Sequence, residues 1–435
     1  MNKLLVIQAA ALGFDFLSKC GGEDTLNGLS FKKAESVFPA LTCPVQATMR
    51  TALPPSSHGM VMNGVFAENL RRPLFWEQSS RLVQGERIWS GAQEGKLKTG
   101  MLFWQQSLGE QADVLLSPAP IHKHGGGMVE SVYSRPDGLY DYLVNRLKRP
   151  FKLSSYWGPL SSLKSSKWIT EAAAEIMDMP DVAPDLLFVY IPHLDYALQK
   201  YGPGSGKAEK AFSEFAALLN SLTEKGRASG YDILVYGDYA IADVSSAVFP
   251  NRMLAENNLF RTRSVRGRLY PDFGYSDAFA VCDHETAHVY VHKKDQIETI
   301  THMFENSDGI EEVITRTGSS SGQFHEKAGD IILVAAQGTW CAYPWWNSSR
   351  EAPDYAAHVD IHNKPGYDPC ELFFGWHPFI TSTDTSKVRG SHGRTGKGRE
   401  TAWASTLSFE QDPGSLLEIA KAVQNKLYDQ NRKNV

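Results

Sequence analysis

The chain has 435 residues, 42% of them hydrophobic and 21% charged, and a formal net charge of −5. That length suits one large α/β domain with an insertion, or two domains. The acidic balance excludes a broad cationic footprint for a nucleic-acid polymer. No stretch approaches the roughly 18 apolar residues needed to span a membrane.

Five cysteines, Cys20, Cys43, Cys282, Cys341 and Cys370, are odd in number, widely spaced and free of any C-x-x-C pair. They do not form a disulfide framework or a zinc knuckle by pattern, and a reducing, cytoplasmic compartment is expected. The N-terminal run reads either as a short secretory signal or as a first buried strand, Lys3 to Gln8. The strand is the expectation, because Gln8 interrupts the apolar run.

A Gly-rich loop, Gly21 to Gly28, leads to the stretch FPALTCPVQATMRTALPPSSHGMVMNG, Phe38 to Gly64. Thr42 stands where an apolar run hands over to a helix. A threonine there is either an ordinary N-cap or a hydroxyl next to unpaired backbone N–H groups suited to a phosphoryl anion. From Val65 to Leu163 the text is mixed and aromatic-rich, with a His/Gly loop, His122 to Met128, read as a solvated turn or a lid. Apolar spacing predicts a helix over 166–179 and another over 207–225, stopped by Gly226. LLFVYI (Leu186–Ile191) and YDILVY (Tyr231–Tyr236) are continuous apolar runs, expected as parallel strands buried on both faces. The texture between about 250 and 329 predicts a small α+β cap, after which a strand from Ala328 to Ala336 returns to the core. A final amphipathic helix is expected over 416–427.

Ligands of such sheets gather at the carboxyl ends of the strands. Asp195 follows the first apolar run and Asp238 the second. His392, in the Gly-flanked RGSHGR, is a late imidazole suited to a borderline metal. His284 to His288 matches H-E-x-x-H, but its strand-like flanks predict a hairpin of the cap and not a zinc helix. His358, Asp360 and His362 alternate with period two, either a solvated strand face or a metal site. Lys364 and Arg394 are candidate cations for a substrate phosphate, and Arg50 is a lesser one.

Thr42, Thr51, Pro55, His58, Gly59 and Asn63 together resemble the nucleophile segment of the type I phosphodiesterase/nucleotide pyrophosphatase family of the alkaline phosphatase superfamily. The resemblance implies an alkaline-phosphatase-like three-layer α/β sandwich with a mostly parallel sheet. Its core would be residues 1–249 and 330–435, with a cap insertion over 250–329. It implies Thr42 as nucleophile and Asn63 as donor to a phosphate oxygen. It also implies one or two divalent ions, Zn, Mn or Mg, at the positions of Asp195, Asp238, His392, Gln8, Gln199 and Tyr239. Three of these depart from the family's pattern: Gln8 replaces a strand-one Asp, and Gln199 and Tyr239 each replace a His. Gln carries no charge and neutral Tyr binds zinc weakly.

Three readings follow. One ion is held by Asp195, Asp238 and His392 with amide oxygens from Gln8 and Gln199. Alternatively, the site binds a phosphorylated ligand without turnover, or it serves other chemistry. The leading expectation is a metal-dependent hydrolase of phosphodiester or pyrophosphate bonds. Its partner would be a small phosphodiester or nucleotide-like ligand, with no nucleic-acid polymer and no membrane.

Overall fold

The computed structural model describes residues 3–22, 24–91, 97–124, 127–316 and 324–433. An eight-stranded sheet forms the centre. Its middle consists of β1 (Lys3–Ala9), β2 (Leu186–Ile191) and β3 (Tyr231–Gly237). β1 lies between the other two and runs parallel to both. Every residue of β2 is buried, as a strand covered on both faces requires. The helices Leu163–Met177 and Gly206–Ala228 cover one face through Ile169, Ile176, Phe215 and Leu219, and Leu416–Lys433 adds Ile419 and Val423 to the same apolar core. Parallel strands Thr99–Leu102 and Val114–Pro118 extend the sheet on one side, and antiparallel Thr401–Ser405 extends it on the other.

Register decides where the site lies. Gln8 pairs with Tyr190 and Tyr236, and Ala9 with Ile191 and Gly237. The three strands therefore end level, and Gln8, Asp238 and the turn before Asp195 meet at one edge. Gly237 makes this possible, because a Cβ there would lie 2.1 Å from the Leu12 carbonyl oxygen.

A second sheet of four strands has its own apolar core. It contains β4 (Ala278–Asp283), β5 (Thr286–Val291), β6 (Ile310–Thr315) and β7 (Ile331–Ala335). β4 and β5 form the hairpin expected of the H-E-x-x-H stretch. β7 corrects an expectation. It pairs with β5 and β6 and does not rejoin the main sheet, so a boundary at residue 329 would cut the smaller sheet in two. A short apolar strand fits either sheet equally well, and its local sequence does not choose between them.

His358, Asp360 and His362 depart from the expected alternation. A 3₁₀ turn, Asp354–Ala357, precedes them, and the segment is a loop. Asp360 accepts from Asn363, while His362 bonds the Phe75 carbonyl, so the three do not converge. The flanks of the His/Gly loop, Ile121–His122 and Met128–Val129, form an exposed two-stranded ribbon; Gly125 and Gly126 lie outside the described residues. All five cysteines are unpaired. Among the described residues no helix is long and apolar enough to cross a membrane.

Candidate active site

Thr42 is the first residue of α1 (Thr42–Thr51), after an extended Leu41. The turn before it is clasped from across the molecule. Ala40 N–H donates to the Gly393 carbonyl, and the Ala40 carbonyl accepts from His392 Nδ1 at 2.8 Å. Asn63 is locked beside the same helix start. Its Oδ1 accepts from Cys43 N–H at 3.0 Å, while its own N–H and Nδ2 donate to Asp283 at 2.7 and 3.1 Å. One amide hydrogen of Asn63 remains beyond these bonds, since a carboxamide carries two.

The other residues of the segment are scaffolding. His58 accepts from Met60 N–H and bonds Thr48, and Thr51 bonds the Ala47 carbonyl. Arg50 is wholly buried and committed to Glu110 and the Gln105 and Gln106 carbonyls.

Asp195 and Gln199 sit on α2 (His193–Tyr201), four residues apart and so on one face. Gln199 Nε2 donates to Asp195 Oδ2 at 2.7 Å, and the Tyr239 hydroxyl donates to Asp195 Oδ1 at 2.9 Å. The same hydroxyl is 3.5 Å from Thr42 Oγ1. Asp238 accepts from Gln8 Nε2 at 2.8 Å and from the Ala11 and Tyr239 N–H groups at 3.0 Å each. Tyr236 in turn donates to Gln8 Oε1. Burial pushes the Asp195 carboxyl up to about 6 and Asp238 up to about 8, against the opposing pull of these donors.

Four buried rings lie in contact through the centre, stacked at the two end pairs and tilted by 38° between His392 and His284. Tyr239 lies on His392 with centroids 3.3 Å apart and planes 3° apart, His392 on His284 at 3.7 Å, and His284 on Tyr367 at 3.7 Å. Tyr367 donates to Gln199 Oε1 at 2.8 Å, which closes a circuit from Tyr239 through Asp195 and Gln199 back to the far end of the stack. His284 Nδ1 pairs with Asp283 at 2.7 Å. Burial holds both imidazoles neutral, well below their ordinary pKa. The Nε2 atoms of His284 and His392 have no hydrogen-bond partner.

The expected residues thus divide. Thr42, Asn63, Gln8, Asp195, Gln199, Asp238, Tyr239 and His392 come together. Lys364 and Arg394 do not reach them as free charges. Lys364 is buried between Asp368 and Glu371, 2.7 Å from each, and Arg394 grips Glu311 and the Ala335 carbonyl. Sequence reasoning did not single out Asp283 or Tyr367, and it set His284 aside with the H-E-x-x-H stretch as part of a hairpin. The one signal was an Asp-His pair at the end of an apolar strand.

A divalent ion does not fit this residue set. The oxygens of Asp195 and Asp238 already receive five donors from the protein. The two unpartnered imidazole nitrogens, His284 Nε2 and His392 Nε2, are not joined, among the described residues, by the further ligands a divalent ion needs. Among the described residues no group of three or more His, Cys, Asp or Glu side chains could hold a metal.

The fold is that of alkaline-phosphatase-like proteins. Phosphonoacetate hydrolase of Sinorhizobium meliloti, solved in complex with phosphonoformate, superposes with a TM-score of 0.62 at 14% identity, over 97% of this chain and 96% of that one. A murine ectonucleotide pyrophosphatase/phosphodiesterase, solved as an inactive threonine-to-alanine form in complex with AMP, gives 0.58 at 13% identity, over 98% and 95%. Residues 11–368 match the type I phosphodiesterase / nucleotide pyrophosphatase family, and the chain belongs to it. An uncharacterized pyrophosphatase/phosphodiesterase of Schizosaccharomyces pombe is 24% identical over 53% of this chain and 41% of its own length. Ectonucleotide pyrophosphatase/phosphodiesterase family member 3 of Bos taurus is 24% identical over 49% and 21%. The chain therefore spans less than half the length of these curated relatives.

Proposed function

We propose that the chain hydrolyses a phosphodiester or pyrophosphate bond in a small, nucleotide-like molecule, with Thr42 as nucleophile. The observation that carries this reading is the placement of Thr42. Its hydroxyl stands at the start of a helix, beside an Asn63 fixed at both ends and a phenol 3.5 Å away. Thr42 Oγ1 attacks phosphorus in line, and a phospho-threonine forms as the leaving oxygen departs. The remaining Asn63 N–H and the helix start face the oxygens where negative charge grows. Water then attacks the phospho-threonine and releases the product. The family relationship supports the reaction class, and the mouse structure, inactive with a threonine-to-alanine change, supports the threonine.

Acid-quenched protein incubated with an aryl ester of a nucleotide tests the step. Peptide mass spectrometry should find the nucleotidyl group on Thr42. Turnover with an adduct on another residue would remove Thr42 from the role.

A second reading, ligand binding without turnover, is favoured by one observation. Gln8, Gln199 and Tyr239 stand where the family's pattern has metal ligands, and they spend their donors on Asp238 and Asp195. Tight binding of a nucleoside monophosphate with no hydrolysis of any aryl ester would select that reading.

A further inference from the structure

We infer that this centre is built to work without a divalent ion. Gln8, Gln199 and Tyr239 supply the donors that balance Asp195 and Asp238, and the Tyr239 hydroxyl is the catalytic group that contacts Thr42. The inference rests on the hydrolase reading for its catalytic half only.

Three features carry it. First, the departures from the family's ligand set are mutually compatible in space. Gln199 and Tyr239 hold the two oxygens of one carboxylate, and Gln8 holds the other carboxylate with two backbone N–H groups. A site that had merely lost its ligands would leave buried acceptors unpaired, at about 1–3 kcal/mol each. Here all four oxygens of Asp195 and Asp238 are partnered, and the unpaired acceptors at the centre are His284 Nε2 and His392 Nε2.

Second, the replacements also bond each other's supports. Tyr236 holds Gln8, and Tyr367 holds Gln199, so each amide has a fixed orientation with its N–H toward the carboxylate. Third, His392, the remaining imidazole, is sandwiched between Tyr239 and His284 and held through Nδ1 by the Ala40 carbonyl. The ring of Tyr239 takes the space along one face of that imidazole.

The phenol lies between the nucleophile and the carboxylate, 3.5 Å from Thr42 Oγ1 and 2.9 Å from Asp195 Oδ1. This allows a balanced step. As the Thr42 O–P bond forms, the Thr42 proton passes to the Tyr239 oxygen and the Tyr239 proton to Asp195. The P–O bond to the leaving group breaks, and that group departs with the electron pair. When water cleaves the phospho-threonine, Thr42 departs and recovers its proton along the same path. One water proton stays on the phosphate product, and the other passes to solvent, balancing the proton the departed leaving group takes up. No redox partner is needed.

The test begins with elemental analysis of the full chain purified without chelator or His-rich tag, together with thermal unfolding in EDTA and in added Zn. Well under one equivalent of Zn, Mn or Mg per chain is expected, with the same melting temperature in both conditions. A stoichiometric metal whose removal by EDTA lowers the melting temperature would overturn the inference, whatever the turnover. The double variant Q199H/Y239H should gain about one equivalent of Zn and melt higher with it. Failure of a folded double variant to bind Zn would show that these residues do not stand in for a metal site. Tyr239→Phe should fold and lose about a hundredfold in aryl phosphodiester turnover, within the range for acid–base groups. A loss that Zn restores, or no loss, would contradict the role of the phenol. Absence of turnover in the wild type would defeat the hydrolase reading alone and leave the metal measurement standing.

Discussion

Tyr239 lies flat on His392, with ring centroids 3.3 Å apart and planes within 3° of each other. Both residues are buried, and they come from segments more than 150 positions apart. The contact joins the end of the central strand β3 to the loop that clasps the turn before Thr42. It makes Tyr239 structural as well as chemical.

Tyr239→Ala removes a buried ring and the donor to Asp195 together. A destabilisation of about 3–5 kcal/mol is expected. Tyr239→Phe keeps the ring and leaves one carboxylate oxygen unpaired, for about 1–3 kcal/mol. Urea unfolding of the two variants checks the order. Equal costs would mean that the stack contributes nothing.

Asp283 ties Asn63 to His284. In Asp283→Asn an N–H of the new amide would face an N–H of Asn63 or of His284. Release of Asn63 should lower kcat tenfold or more with a smaller change in KM, because its interaction belongs to the transition state. A change confined to KM would place Asn63 in ground-state binding instead.

Lys364 neutralises Asp368 and Glu371 in the interior. Lys364→Ala leaves two buried carboxylates without their cation, and a loss of about 3–5 kcal/mol is expected. Substrate affinity should be unchanged in whatever fraction folds. Weakened binding with stability intact would return Lys364 to a ligand-contacting role.

Acid should destabilise the protein through histidines away from the centre. Burial, reinforced by Arg50, pushes His58 down to about 3, and burial likewise pushes His288 down to about 3. The unfolded chain binds these protons near pH 6.5, so the stability they confer is complete above that pH and falls as pH drops toward 3. Between pH 7 and 5 each should cost roughly 2 kcal/mol. His58→Gln should flatten the slope of unfolding free energy against pH. An unchanged slope would mean that His58 is protonated in the native state.

Much of the main sheet was legible in the sequence. LLFVYI and YDILVY are unbroken apolar runs, and the helix over 207–225 carries Phe212, Phe215, Leu219 and Leu222 on one side; the structure extends it to Gly206–Ala228. The spacing of Thr42 and Asn63 also led to a real neighbourhood, through Cys43 N–H. The remainder depended on distance. Asp283 meets Asn63 across 220 residues, and no local pattern announces that bond. Lys364 did carry a local warning, with Asp368 and Glu371 four and seven positions later. The alternation at His358–His362 did not give a strand: the segment follows a 3₁₀ turn, and Asp360 accepts from Asn363 three residues on, a local turn bond that competes with strand pairing.

The most direct measurement is hydrolysis of bis(p-nitrophenyl) phosphate in excess EDTA by the wild-type chain and by Thr42→Ala. The structure predicts turnover in the wild type that EDTA does not abolish, and its loss in Thr42→Ala with unfolding unchanged. Equal turnover in the two proteins, or turnover in the wild type that EDTA abolishes and Zn restores, would contradict a metal-free threonine nucleophile.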